Sequence, residues 1–188
     1  MGLRQWAESL TQPKGCADLR VGNLRMVAIT PEMLAAETAQ DMARLGELLH
    51  AKMTGEWPPV EWEPHVYAFI AKQYEEHPQT MGWHRYVVLC DGLGMMRTLV
   101  GAVGAFPKGD GDAEIGYSTL PQFQRRGYAT ATAKTLVEWL LTRDGVTSVS
   151  ACTFPRLPES IKVMERCGMT YVGLGDEPGT VRYQRCRD

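Results

Sequence analysis

Gln124-Arg125-Arg126-Gly127-Tyr128-Ala129 joins residue types from which a chain can build a seat for adjacent phosphates. A helix N-terminus presents backbone N–H groups without intrahelical acceptors, together with the positive end of the helix dipole. A preceding loop that closes around an anion strengthens such a site. Gly127 supplies the missing Cβ that close approach needs, Ala129 and Thr130 keep the first turn slim, and Arg125 and Arg126 add charge. Two neighbouring phosphates suit this cradle better than a single carboxylate. Taken alone, the residues serve two readings equally: an anion cradle, or a solvated basic turn whose glycine starts a helix. Other phosphate motifs are absent, since there is no G-x-x-x-x-G-K-[ST] and Gly92-Leu93-Gly94 lacks the third glycine of a dinucleotide fingerprint.

The elements that must position this loop are legible around it. Ala129, Ala133, Leu136, Val137, Leu140 and Leu141 share one helical face. Upstream, Arg85–Cys90, Thr98–Phe106 and Ala113–Leu120 read as an antiparallel meander, separated by Asp91-Gly92-Leu93-Gly94 and Gly109-Asp110-Gly111-Asp112. Downstream come a strand from Val146 to Thr153, a short helix from Glu159 to Cys167 and two last strands near Thr170–Gly173 and Val181–Gln184. Before the meander, Leu24–Ile29 predicts a strand, and Thr30-Pro31-Glu32 opens a helix whose spacing runs through Leu34, Met42, Leu45 and Leu49. A second helix spans about Glu63 to Glu76, and a short one about Arg4 to Thr11.

Composition narrows the function classes. A chain of 188 residues with 44% hydrophobic and 22% charged residues fits one ordinary globular domain. A net charge of -2 supplies no positive field to gather nucleic acid. No apolar run reaches membrane-span length and the N-terminus lacks the features of a secretory signal, so a cytoplasmic protein without a membrane partner is expected. The five cysteines and four histidines show neither C-x-x-C nor H-E-x-x-H spacing, so no metal is expected.

Context turns the anion loop into something more specific. Ala113-Glu114-Ile115-Gly116-Tyr117, then Leu120-Pro121, then Gln124 to Ala129 resembles the acetyl-CoA motif of the GNAT superfamily, Q/R-x-x-G-x-G/A between a strand and a long helix. A second block is similar as well: Thr153-Phe154-Pro155, Ser160, Val163 to Met169 and Val172-Gly173, together with the opening Leu24-Arg25-Met26 and Thr30-Pro31-Glu32, look like the RimJ/RimL-like branch. The resemblance covers about residues 24–186. It implies a single α/β (α+β) GNAT-like domain at 21–188 after an N-terminal extension at 1–20, with a central mixed, mostly antiparallel sheet and helices on both faces.

The resemblance implies an N-acetyltransferase that moves an acetyl group directly from acetyl-CoA to a primary amine, either a protein N-terminus or a small molecule. It places the pyrophosphate on Gln124, Arg125, Arg126, Gly127, Tyr128, Ala129 and Thr130. Backbone groups near Tyr117, Ser118, Thr119 and Leu120 would meet the pantetheine arm and thioester oxygen. Glu114 stands where some members carry the general base; its other reading is a surface residue or the partner of a neighbouring cation. Two departures stand out. Arg156-Leu157-Pro158-Glu159 lacks the asparagine many relatives have, and Met164 stands where many have a tyrosine acid, which leaves Ser160 as the nearest donor for the thiolate or else a hydroxyl of the helix N-terminus.

Acceptor specificity is expected from Gly55-Glu56-Trp57-Pro58-Pro59-Val60-Glu61-Trp62, where Trp57 would wall a pocket and Glu56 or Glu61 attract a cationic amine. The plainer alternative is a loop anchored by tryptophan burial. A homodimer is common among relatives. A catalytically weak acyl-CoA-binding sensor or assembly module is the alternative function.

Overall fold

Alternation and turn chemistry lay out the sheet before any long-range contact is considered. The structure is a computed structural model that describes residues 16–59, 64–92 and 96–188. The helix expected near Arg4–Thr11 and the acid Glu61 lie outside them.

Eight strands form one sheet in the order β1-β2-β3-β4-β5-β6-β8-β7. They are β1 (Leu19–Val21), β2 (Leu24–Ala28), β3 (Arg85–Cys90), β4 (Arg97–Gly109), β5 (Asp112–Thr119), β6 (Ser148–Thr153), β7 (Thr170–Leu174) and β8 (Val181–Cys186). Every neighbouring pair is antiparallel except β5–β6, which is parallel. The expected meander is β3-β4-β5. β1 straddles residue 20, the expected edge of the N-terminal extension, and pairs through Leu19↔Met26 and Val21↔Leu24.

The helices are α1 (Pro31–Thr38), α2 (Met42–Leu49), α3 (Pro64–Glu76), α4 (Tyr128–Leu140) and α5 (Pro158–Arg166). Thr30 caps α1 by accepting from the Met33 N–H, as the cap-and-proline signal implies. The single long helix expected there is two helices. Gln40 adopts a left-handed φ of 56°, and the Asp41 carboxylate takes the Arg44 N–H at 2.9 Å to start α2. The apolar spacing runs on across this break, so periodicity alone joins the pieces.

The two faces of the sheet carry separate cores. Helices α1 to α3 cover one, where Ile29, Leu34, Leu45, Ile70, Tyr86 and Leu120 pack together. Helices α4 and α5 cover the other through Leu136, Val137, Leu140 and Met164 against Val103, Ala113, Ile115 and Val149. Leu136, Val137 and Leu140 are fully buried, each contributing about 1.5–3 kcal/mol to docking of α4. That docking holds the N-terminus of α4 at the end of β5.

Candidate active site

β5 and β6 pair only at Asp112↔Ser148, Ala113↔Val149 and Glu114↔Ser150. Beyond Glu114 the strands part, and β5 continues to Thr119 paired with β4 alone. The result is a wedge in the middle of the sheet, with unpaired backbone along one wall. The Leu120 N–H donates to the Val100 carbonyl on β4 at 2.9 Å. Strand alternation therefore turns the backbone groups of Ser118 toward β4 as well, and those of Tyr117 and Thr119 toward the wedge. The Leu120 carbonyl is also taken, by the Phe123 N–H at 2.8 Å, and its side chain is buried. Of the backbone donors expected here, Tyr117 and Thr119 face the opening; Ser118 and Leu120 serve the sheet.

The chain leaves β5 through a short 3-10 turn, Pro121–Phe123, and reaches α4 through the Gln124–Gly127 loop. The Gln124 side-chain amide donates back to the Thr119 carbonyl at 3.0 Å, which ties the loop to the strand end. Arg125 (φ 59°) and Gly127 (φ 79°) are both left-handed, and Gly127 is the N-cap of α4 without any side-chain cap. Among the described residues the N–H groups from Arg125 through Thr130 find no backbone or side-chain acceptor; the first to do so is that of Ala131, which bonds the Gly127 carbonyl at 2.9 Å. A Cβ built on Gly127 would meet nothing within 4 Å, so the glycine leaves open space over a row of N–H groups. Arg126 packs over the Phe123 ring and donates to the Gln122 carbonyl at 3.3 Å, with Arg125 exposed beside it. The array suits a diphosphate held mainly by backbone.

Glu114 stands at the apex of the wedge, its side chain 15% exposed. It accepts from Arg182 on β8 at 2.8 Å, has Lys108 at 3.9 Å and receives the Cys152 thiol at 3.7 Å. Lys108 and Arg182 also reach Asp176 at 2.5 and 3.1 Å. Their hydrogen bonds and charge, Lys108 foremost, hold Asp176 below the usual carboxylate range. Burial pushes the Cys152 thiol up, against the opposing hydrogen bond of Arg182.

Ser160, in the first turn of α5, is not a helix cap: the N-cap is Leu157 and no side chain caps the helix. Its hydroxyl instead meets the Tyr117 phenol at 3.0 Å, and that phenol also lies 3.1 Å from the Ser160 carbonyl. This pair bridges β5 and α5. Burial pushes the Tyr117 phenol up to about 12, with the Ser160 hydrogen bond acting the other way. The Tyr117 side chain is a site feature the sequence did not single out, since nothing local relates residue 117 to residue 160.

On the opposite face, Trp57 is buried and donates its indole N–H to Glu37 at 2.6 Å, edge-on to Tyr86. The Tyr67 phenol reaches the same carboxylate at 3.3 Å and Tyr86 donates to its other oxygen. Burial raises Glu37 above the ordinary carboxylate pKa, partly offset by these donors. Trp57 thus takes the plainer of its expected roles, as the anchor of its loop. Glu37 went unnoticed in the sequence; its only signal is an acid one residue beyond Ala36 on the apolar stretch of α1. Glu56 is exposed and receives the Gln122 amide at 3.2 Å, which puts it at the 3-10 turn beside the wedge. Glu61 lies outside the described residues.

Residues 33–170 match the family model described as "Acetyltransferase (GNAT) domain". The chain belongs to the GNAT acetyltransferase family. A curated relative, the "Uncharacterized N-acetyltransferase YjdG" of Bacillus subtilis (strain 168), is 27% identical over 153 residues, covering 80% of this chain and 88% of that protein. Among solved structures, RimL, the ribosomal L7/L12 alpha-N-protein acetyltransferase in complex with coenzyme A, superposes with a TM-score of 0.61 at 16% identity, over 92% of this chain and 99% of that one. A chimera of the spermidine N-acetyltransferase SpeG from Vibrio cholerae with hSSAT gives 0.56 at 16% identity, over 88% and 96%.

This GNAT chain is an acyl-CoA-dependent acetyltransferase with acetyl-CoA as co-substrate. Its own residues fit that molecule: the N–H row at Arg125–Thr130 and the open space over Gly127 match a diphosphate, and the wedge along Tyr117 and Thr119 matches an extended arm with amide groups. Among the described residues no cluster of His, Cys, Asp and Glu has metal-ligand character, and no helix is long and apolar enough to cross a membrane.

Proposed function

We propose that this GNAT enzyme, of the RimJ/RimL-like kind, acetylates a primary amine by direct transfer at the β5–β6 wedge. The observation that carries the reading is the shared strand: β5 ends in the N–H row at Arg125–Thr130 and bears Glu114 where the wedge begins. Acetyl-CoA supplies an activated acyl thioester, and the rest of the work falls to the chain. Arg125 to Thr130 hold the pyrophosphate through backbone N–H groups, with the side chains of Arg125 and Arg126 adding charge. Gln124, its own N–H taken by the Pro121 carbonyl, ties the loop to the strand end. The Thr119 and Tyr117 backbone groups orient the arm, and an N–H there stabilises the developing oxyanion. Holding donor and acceptor together supplies much of the rate.

An amine is mostly protonated at neutral pH, so it must lose a proton before it attacks. Glu114 accepts that proton, directly or through a water, while Arg182 fixes its orientation. The Tyr117–Ser160 hydroxyl pair stands where the departing thiolate needs a donor. A phenol near 12 gives up its proton reluctantly, so the pair serves as a hydrogen-bond donor, and a thiol of pKa near 8.5 needs little more. Glu56 draws a cationic acceptor toward the wedge mouth, Glu61 is assigned the same work on sequence alone, and Trp57 supports the loop between them. A cytoplasmic setting, a homodimer and the absence of a nucleic-acid or membrane partner belong to the same reading.

The engagement of Glu114 by Arg182 and Lys108, with no asparagine in Arg156-Leu157-Pro158-Glu159 and Met164 in place of a tyrosine, favours a second reading as an acyl-CoA-binding sensor or assembly module. Thiol release from acetyl-CoA across a panel of amines and peptides separates the two. Transfer predicts release with at least one acceptor, and Glu114→Gln then lowers kcat at least tenfold with CoA affinity unchanged. Tight CoA binding without release for any acceptor supports the module, and full turnover in the variant removes Glu114 from the mechanism.

A further inference from the structure

The glycines of β4 and β5 differ in what they accommodate. A Cβ on Gly101 would lie 2.3 Å from the Ser118 carbonyl oxygen, and one on Gly104 would lie 2.2 Å from the His84 ring. Both are glycine because the protein's own atoms fill the space. Gly116, directly opposite Gly104 across the β4–β5 pair, has no such reason. A Cβ there meets nothing within 4 Å, its φ is not left-handed, and the residue is exposed although β5 lies in the interior of an eight-stranded sheet. An uncovered, side-chain-free position on an inner strand marks the floor of a cleft.

What surrounds that floor is informative. Alternation puts Glu114, Gly116 and Ser118 on one face of β5, with Glu114 nearest the apex of the wedge. Phe106, paired across from Glu114, is diagonal to Gly116 and within reach of an aromatic side chain. Its ring packs edge-on against Phe69 of α3 at 5.5 Å, and Phe69 is 49% exposed, one of the few large apolar side chains left open to solvent. The charges near Glu114 are already matched: Glu114 and Asp176 are both bound by Lys108 and Arg182. Past the mouth, a polycation would find Glu114 and Asp176 already bound and would meet two cations, Lys108 and Arg182.

We propose that Gly116 is the specificity-determining position of the acceptor slot, and that the slot takes a primary amine carried on an aryl or extended alkyl body rather than a polyamine. The body lies over the Gly116 backbone against Phe69 and Phe106, and the amine points along the strand toward the wedge. This rests on the amine-acetyltransferase reading above.

The experiment compares phenethylamine with spermidine as acceptors for the wild type, Gly116→Ala and Gly116→Val. Phenethylamine binding to CoA-saturated protein is measured alongside by calorimetry, which needs no transfer. Because the site has room for a Cβ and ordinary strand geometry, both variants keep the wild-type melting temperature and CoA affinity. The expected result is a phenethylamine kcat/KM at least tenfold above that of spermidine. In Gly116→Val the phenethylamine KM and Kd rise at least tenfold, with a smaller rise in Gly116→Ala. Unchanged acceptor KM and Kd in Gly116→Val, a preference for spermidine, or no phenethylamine binding to CoA-loaded wild type each overturns the proposal. Gly116-dependent binding without any acetyl transfer leaves the slot standing and overturns the catalytic reading instead.

Discussion

The α4 N-terminal loop and the Glu37 cluster are both polar constructions set against a hydrophobic core, and they are built in opposite ways. From Arg125 to Thr130 the working groups are backbone N–H groups, contributed by consecutive residues and left without acceptors among the described residues. Glu37 draws instead on side chains: Trp57, Tyr67 and Tyr86 come from distant parts of the chain and converge on one buried carboxylate. The first is polar capacity held open for something else, and the second is polar capacity fully used within the protein. A substitution in the loop should therefore act on ligand binding with little effect on stability, and one at the cluster should do the reverse.

Glu37→Ala tests the stability half with the larger effect. It leaves three buried donors facing a cavity, and the expected loss is about 3 kcal/mol of unfolding free energy with CoA affinity within twofold of wild type, read by denaturant titration and calorimetry. A loss confined to CoA binding would break the contrast. Glu37→Gln keeps an acceptor for the donors and should recover part of the stability.

A smaller effect comes from pH. His84 is buried against Gln73, its ring nitrogen 3.0 Å from the amide oxygen, and burial pulls its pKa down to about 3. Between the unfolded value near 6.5 and about 3 the unfolded chain binds the proton and the native protein does not, so stability falls as pH falls through this window. At pH 5 the contribution is about 2 kcal/mol, and His84→Gln should flatten that part of the melting-temperature profile. Glu37 has the opposite sign, since its raised pKa removes stability as pH rises above the ordinary carboxylate range. An unchanged profile in His84→Gln would place the acid sensitivity elsewhere.

The same contrast accounts for what the sequence reveals. The strand, loop and helix from Glu114 to Leu140 were legible because their signals are local: alternation, a glycine, then a 3.6-residue apolar stripe. The mixed sheet was legible only through the resemblance of these motifs to the GNAT superfamily; the residues themselves gave the antiparallel meander β3-β4-β5. The break at Gln40–Asp41 was hidden because the apolar spacing continues through it. The Tyr117–Ser160 contact, the Arg182 clamp on Glu114 and the Glu37 cluster were not legible, since each depends on residues brought together only by the packing of separate elements. The backbone roles given to Ser118 and Leu120 missed for a related reason: which edge of a strand faces the wedge depends on the pairing register with β4.

The central claim is that the row of N–H groups opening α4 holds the co-substrate's pyrophosphate. Calorimetric titration of CoA into wild type and Gly127→Glu tests it most directly, because the new side chain would occupy the open space over that row and oppose a diphosphate with like charge. Strain at a φ of 79° costs roughly 1–2 kcal/mol of stability, so the variant should remain folded at room temperature. The account predicts that CoA affinity falls at least a hundredfold while the melting transition stays cooperative; a folded Gly127→Glu that binds CoA as wild type does would contradict it.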